Sequence, residues 1–386
     1  MIDLSEPLTF NERQLFEIVL RGPNPSRATI SEATGLTPTT VSRLVSRFVE
    51  LGIFAEKAER SGGLGQPRKN LTVRPGQVYT VGVNFMRGRF DLAVVDLAGT
   101  IVWVDTVEIE QITMDTIAEL TAERVEAALK ARNISRRRLV GAGFSLPGGF
   151  SEDGEVLLAH ESFPELDQRA LGSDFTKALG FGCSFDTDGA CAALGEFLYG
   201  CGSGYDTFFF VHIGHGVGGG AIINGKLYRG AHGNASKPGV LFPYDQPRPS
   251  GQDLVEFLKR EGFAITDIAD LAEMPVTAEP AIEVWLDRAA EQLADLGRFV
   301  TAFLDPEAIV IGGRLPDRFN SCLIERLSGI ELPGPSRHLP NAPFRASHLG
   351  PSSGVLGAAS LPVFERFFTG AHASAGNPYR NGRRAV

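Results

Sequence analysis

The chain has 386 residues, 43% of them hydrophobic and 22% charged, with a formal net charge of −9. That length exceeds one ordinary core and predicts two or three domains of a globular protein. The net acidity argues against wholesale nucleic-acid binding, and no apolar run approaches the ~20 residues a membrane helix needs.

The opening MIDLSEPL lacks the basic-then-apolar pattern of a signal peptide. Cys183, Cys191, Cys201 and Cys322 form no CxxC pair or metal-like cluster, so free thiols in a reducing cytoplasm are expected. Charge is unevenly spread. Residues 27–74 carry eight basic residues (Arg27, Arg43, Arg47, Lys57, Arg60, Arg68, Lys69, Arg74) against four acidic ones (Glu32, Glu50, Glu56, Glu59). A basic module on an acidic body fits a DNA reader joined to something that does not touch DNA.

Asn11 to Leu20 predicts a helix with Leu15, Phe16, Ile18, Val19 and Leu20 on its apolar side. Ala28 to Thr34 predicts a short second helix ended by Gly35. In LTPTTVSRLVSRFVELG, Thr37 is a good N-cap and Pro38 suits the first helical position. Val41, Leu44, Val45, Phe48 and Val49 keep to one face, and Gly52 ends the helix. The opposite face shows Thr39, Thr40, Ser42, Arg43, Ser46 and Arg47, side chains suited to phosphates and base edges. IFAEKAE and KNLTVRP then predict two strands of a winged hairpin, with Gly62, Gly63, Gly65, Pro67, Arg68 and Lys69 near its tip. Any three-helix bundle has a polar face, so the agreement of cap, turn, face and basic wing is what points to a winged helix-turn-helix over residues 1–75.

The body, residues 76–370, doubles a pattern. VYTVGVNF, RFDLAVVDL and TIVWVDTVEI predict three strands, followed by a helix near 113–132 and a strand at LVGAGFSL. DTFFFVHI, a Gly-rich turn, GGAIIN, a two-residue turn at Gly225-Lys226 and a short strand repeat it. A long helix near 279–303, a strand at AIVIGG and a final helix near 354–368 complete the set. The fold class is α/β, with two related lobes and a ligand cleft expected. Residues 371–386, Gly/Ala-rich and basic, read as a disordered tail.

The succession GQPRKNLTVRP, VGVNF, DLAGTIV, FSLPGGF, DTDGACAALGE, HIGHGVGGG, GAHGNA and DPEAIVIGG resembles the ROK family (repressors, open reading frames, sugar kinases), from about residue 10 to 370. The resemblance implies a two-lobed, actin-like sugar-kinase fold. It implies, for members with a winged helix-turn-helix, a transcription regulator of sugar genes, usually a repressor. The partners implied are operator DNA, a small carbohydrate effector and a second copy in a homodimer or dimer of dimers.

Departures from the family's kinase pattern argue against efficient ATP use. The first phosphate loop needs an acidic residue and glycines; here stand Asn84, Met86 and Arg87. The catalytic Asn-Asp pair matches Thr187-Asp188, where Asp188 serves as base, as an acceptor for a sugar hydroxyl, or as a helix cap. The second loop keeps Gly214, Gly216, Gly218, Gly219 and Gly220 but has His215 for Thr. Such glycines either cradle phosphate or serve a turn with φ > 0. In the sugar-side motif Asn234 remains, while Lys237 replaces a sugar-binding Glu and Val240 a zinc-ligating His. Pro147, Gly148 and Gly149 match the family's sugar-side loop. Lys237 either makes the pocket favour an acidic or phosphorylated sugar or points to solvent or a nearby acid. His212, His215 and His232 lack metal-ligand spacing. No zinc is expected, ATP and Mg²⁺ are disfavoured, and a regulator without kinase activity is the leading reading. An active sugar kinase with an appended DNA module is the alternative, and a body that docks another protein is a third.

Overall fold

The computed structural model describes residues 6–59, 68–86, 88–109, 113–151, 156–160, 163–167, 169–170, 173–330 and 341–370. The hairpin tip with Gly62, Gly63, Gly65 and Pro67, the side chain of Arg68, all of Arg87, and the tail 371–386 lie outside the described residues. The chain packs as two compact units. One comprises residues 1–144, 171–185 and 359–386; the other comprises 145–170 and 186–358. Among the described residues no helix is long and apolar enough to cross a membrane.

In the first unit, α1 (Phe10–Arg21), α2 (Arg27–Thr34) and α3 (Pro38–Glu50) form the small module. Each start is capped by a hydroxyl: Thr9, Ser26 and Thr37 accept from the third residue on. Glu12 closes a capping box on Thr9. Gly35 and Gly52 follow α2 and α3 at φ 70° and 74°, where a side chain would be strained. Val41, Leu44, Val45 and Phe48 are buried, as the spacing predicts. Val49 is not: it is 37% exposed, at the margin of the apolar stripe. β1 (Phe54–Glu59) and β2 (Arg68–Val73) pair antiparallel, Phe54 opposite Val73 and Glu59 opposite Arg68. Three helices and this hairpin are the elements the sequence predicts for the module. Phe16 packs on Phe48 and Phe54 at centroid distances of 6.2 and 6.0 Å, and on Phe367 at 4.5 Å. The module's core is thus closed by a residue from the far end of the chain.

The rest of the unit is built on β3 (Tyr79–Met86), β4 (Arg89–Asp96) and β5 (Ile101–Glu108), followed by α4 (Met114–Ala131) and β6 (Leu139–Leu146). The second unit begins in chain order with β7 (Gly148–Phe150), β8 (Val156–Ala159) and β9 (Arg169–Ala170), a small sheet. α5 (Ser173–Leu179) and β10 (Cys183–Thr187) follow, giving a first large sheet of order β10-β6-β3-β4-β5. After α6 (Asp188–Tyr199) come β11 (Phe208–Ile213), β12 (Val217–Ile223), β13 (Lys226–Tyr228), α7 (Gly251–Arg260), α8 (Glu279–Leu304), β14 (Ala308–Gly313), α9 (Asp317–Ser328), β15 (Phe344–Ala346) and α10 (Ser353–Phe367). The second large sheet runs β13-β12-β11-β14-β15. Each large sheet is a three-stranded meander extended on one side by two later strands, which is the doubling expected from the sequence. This is a mixed α/β body, as expected for the actin-like sugar-kinase fold, following a three-helix module with a hairpin.

Two details correct the sequence reading. The two-residue turn lies at Asn224-Gly225, with φ 52° and 72°, and Lys226 already pairs with Ile223. Asn-Gly is the preferred pair for a turn with both residues left-handed. Helices α7 and α9 and strands β7–β9 and β15 were not read from the sequence. Helix α7 buries Leu254, Val255 and Leu258, and Trp285 of α8 reaches it by donating to Asp253 at 2.8 Å.

Candidate functional site

The exposed side of α3 presents Thr37, Thr39 and Arg43, with Thr40, Ser42 and Ser46 half-buried. Arg43 makes no hydrogen bond or ion pair among the described residues. Arg47 does: it pairs with Glu12, whose side chain is 2% exposed. The sequence placed Arg47 among DNA-reading groups; the structure commits one of its nitrogens to joining α1 and α3. Arg27 donates to Glu56 of β1 at 2.8 Å and to the carbonyl of Ser42 at 3.1 Å, which braces the hairpin against α3. Lys69 is exposed on β2, 4.0 Å from Glu56.

In the second unit the site forms at the start of α6. Thr187 is the N-cap, accepting from Ala190 at 3.4 Å. Asp188 therefore does not cap the helix. It stands at the first helical position, where the amide ends favour a carboxylate. Its Oδ1 accepts from Gly189 at 2.7 Å, and its side chain is 38% exposed. Its Oδ2 lies 3.8 Å from Nε2 of His212, a buried histidine whose two ring nitrogens make no hydrogen bond among the described residues. Burial pushes the His212 pKa down, opposed by the Asp188 charge and helped by Arg314. Asp186, next in the strand, is buried and paired with Arg229 at 2.7 Å.

The glycine-rich stretch does not follow the φ > 0 reading. None of Gly214, Gly216, Gly218, Gly219 or Gly220 has a positive φ. Instead, helix α6 lies against β12. A Cβ on Gly189 would meet the backbone of Gly219, and one on Gly220 would come within 2.5 Å of the Gly189 carbonyl and 2.7 Å of Ala193. A Cβ on Gly218 would stand 3.2 Å from Asp188 Oδ1. Close helix–sheet approach keeps Gly218 and Gly220 small, while Gly214 is hemmed in by the His212 ring at 3.1 Å. Gly216 is the exception, its nearest neighbour being Arg248 at 3.9 Å. The loop also closes on itself: the Gly214 amide donates to the Gly216 carbonyl at 3.0 Å, and His215 Nδ1 takes the Arg314 guanidinium at 3.3 Å. The first loop's Asn84 sits within β3, 8% exposed and opposite Asp91.

Asn234 is a clamp. Its amide accepts from Phe150 N–H at 2.9 Å and donates to the Phe150 carbonyl at 2.6 Å, holding β7. Lys237 Nζ donates to the same Asn234 oxygen at 3.0 Å. A Cβ on Gly149 would collide with that ammonium, so Gly149 is covered by Lys237. Gly148 takes φ 131° against the backbone of Leu158, and the Pro147 carbonyl accepts from His160 N–H at 3.2 Å. Lys237 does not point to open solvent. Burial lowers its pKa, while Asp188 and Asp186 raise it. Sequence reasoning missed Arg248, which is buried and stacks over Tyr244 at 4.1 Å; Tyr244 in turn bonds His160 at 2.7 Å. No local pattern links these three positions. Among the described residues no three His, Cys, Asp or Glu side chains are grouped to hold a metal.

Comparison with known proteins gives three results. The family model described as ROK family matches residues 80–248. The protein y4fQ of Sinorhizobium fredii, whose function is uncharacterised, is 42% identical over 98% of this chain and 96% of its own. The xylose repressor of Bacillus subtilis is 25% identical over 60% of each chain, and the bifunctional enzyme NanE/NanK of Brucella melitensis is 34% identical over 54% of this chain and 41% of its own. A crystal structure of a ROK family transcriptional regulator, a homolog of E. coli MLC protein, matches at TM-score 0.69 with 18% identity, covering 95% of this chain and 98% of that one. At that identity the likeness is one of fold.

Proposed function

The chain belongs to the ROK family, and on that premise we propose that it is a DNA-binding regulator, a repressor of carbohydrate genes, whose effector is a small sugar bound beside Asp188. The family includes kinases as well as repressors that are not enzymes. The observation that carries the reading is the side of α3 beside a braced basic hairpin, where Arg43 has no internal partner. Such a helix enters a major groove, and a homodimer, or a dimer of dimers, would set two of them on a two-fold operator. Residues 1–75 are the DNA reader in this scheme and residues 76–370 the sensor, in the cytoplasm.

The effector we assign is a neutral polyol. Lys237 brings one positive charge, but Asp188 balances it, and Asp186 is already paired with Arg229. Asp188 accepts from sugar hydroxyls, and Thr187, at the end of β10, and His215, in the glycine-rich loop, belong to the same unit. The closure of the Gly214 loop and the uncharged Asn84 support a body that no longer uses ATP. The test is a thermal-shift panel on the full chain with ATP·Mg²⁺, neutral sugars, sugar acids and sugar phosphates, joined to DNA binding in the presence of each hit. A ligand that prefers the folded state raises the melting temperature. A neutral sugar that shifts both melting and DNA affinity, with no response to ATP·Mg²⁺, is the expected outcome. A response confined to ATP·Mg²⁺ sinks it.

One observation favours the kinase alternative: Asp188 is relieved of capping by Thr187 and keeps an exposed carboxylate, as a general base requires. Sugar-dependent ADP release that Asp188→Ala abolishes would establish it.

A further inference from the structure

The first unit contains a cavity of about 320 Å³ that α3 does not line, bordered among others by Arg13, Gly182, Cys183, Ser184, Glu365 and Arg366. That volume is at the low end of small-molecule sites. Arg13 belongs to α1 of the DNA-binding module and is only 8% exposed. Its Nε donates to the Leu8 carbonyl at 3.0 Å, and its Nη1 to the carbonyls of Glu365 and Phe368 at 3.0 and 3.4 Å. Its Nη2 has no acceptor among the described residues. Arg366, on α10, makes no hydrogen bond and no ion pair among the described residues, and its Nε is buried without an acceptor.

Two guanidinium groups therefore share one small space. Burial lowers the pKa of both, and Arg366 lowers that of Arg13 further. The Cys183 thiol is pushed up to about 11 by burial, so it supplies no negative charge. The Glu365 carboxylate is present, but one of its oxygens already takes the Ser184 hydroxyl at 2.5 Å. Two cations face one engaged carboxylate. Buried charge without a partner is costly, and a planar fork with unfilled donors suits an oxyanion. Gly182 leaves the wall open, with no atom within 4 Å of where its Cβ would stand.

We propose that this cavity binds a small oxyanion, inorganic phosphate or the phosphate monoester of a small metabolite, between Arg13 of the DNA-binding module and Arg366 of the last helix. Its occupancy ties α1 to α10, so it biases the module's position and, through it, DNA affinity. A ligand shifts such an equilibrium only by its differential affinity for the two arrangements. The proposal does not depend on the effector assigned to the Asp188 site.

The experiment is titration of the full chain with inorganic phosphate and, separately, glycerol phosphate, read by melting temperature at constant ionic strength. A saturable rise is expected by about 10 mM, since a millimolar Kd corresponds to about 4 kcal/mol of binding. Arg366→Gln is expected to weaken the response at least about tenfold, and Gly182→Val, which fills the cavity at unchanged charge, to remove it. Arg43→Ala keeps the response, which separates this cavity from the DNA face. In phosphate-free buffer, Arg366→Gln should melt no lower than the parent, because it removes a like charge beside Arg13. Tighter binding of glycerol phosphate than of inorganic phosphate identifies a monoester as the source; the reverse identifies the free ion. Three results overturn the proposal. One is no rise with either probe. Another is a response unchanged in both cavity variants. The third is an Arg366→Gln protein less stable than its parent without phosphate, the sign that Arg366 already has an internal partner.

Discussion

Glu12 and Arg47 join the first and third helices of the N-terminal module: a carboxylate side chain 2% exposed holds an arginine side chain 43% exposed. The same Glu12 closes the capping box of α1 through Thr9 at 2.8 Å. One acid thus sets both where α1 begins and where α3 lies.

Arg47→Ala and Arg43→Ala should therefore separate. Removing Arg47 strands a buried carboxylate; discounted for the half-exposed partner, the loss is about 1–2 kcal/mol of module stability. Arg43→Ala removes no internal contact, so stability stays within about 0.5 kcal/mol. Its DNA affinity falls, and the slope of log affinity against log salt shrinks by about one if Arg43 meets a phosphate. Melting curves and salt-dependent DNA titrations of the two variants check this. Equal stability with equal loss of DNA binding would place Arg47 on the DNA side.

The glycines of β12 yield a second contrast. Gly189→Ala would force its Cβ into the Gly219 backbone, and Gly219→Ala would meet the Ser236 carbonyl and the Phe209 ring at 2.9 Å. Neither neighbour is the end of a flexible chain, so each variant should lose more than about 2 kcal/mol. Gly216→Ala meets nothing nearer than 3.9 Å and should be tolerated within about 0.5 kcal/mol. Denaturant melts decide it. If Gly216→Ala proves the most damaging of the three, the packing account of this loop fails.

These cases show what was legible in the sequence. Thr37, Pro38 and Gly52 made α3 legible because caps and breakers act locally. The strand meanders were legible because their apolar runs are long. The role of Asp188 was ambiguous because a cap and a free carboxylate look alike one residue apart, and only the Thr187 bond to Ala190 separates them. The φ > 0 reading of the glycine loop failed for a related reason: a residue kept small by a neighbouring helix leaves no local mark. Asn234 holding Phe150, and Arg248 stacked on Tyr244, join positions through tertiary packing that no spacing rule encodes. Helix α7 was hidden behind the Pro-rich run at residues 243–249, although Ser250 caps it in the ordinary way.

His212 gives a pH dependence with a defined sign. Burial holds its folded pKa below the ordinary 6.5. The unfolded chain therefore binds a proton first as pH falls, and folding stability declines below about pH 6.5. Stability is complete above that value. His212→Gln abolishes this titration, so its melting temperature should drop less than the parent's between about pH 6.5 and 5. Parallel pH profiles for the two proteins would show that His212 is protonated as easily folded as unfolded.

Lys237 tests how the clamp and the effector are joined. Its ammonium is hydrogen-bonded to Asn234, covers Gly149, and stands in the field of Asp188. Lys237→Met keeps the stem but removes the charge and one bond to a clamp that Phe150 still engages twice. The expected stability loss is about 1 kcal/mol. Effector affinity should fall further, by about tenfold, because Asp188 is left without its balancing cation. Lys237→Glu sets a second carboxylate near Asp188 and should weaken a neutral sugar more than Lys237→Met does. Calorimetric titration with the sugar found in the thermal panel reads both variants. Tighter binding of that neutral sugar to Lys237→Glu would mean that the lysine blocks the site rather than completes it.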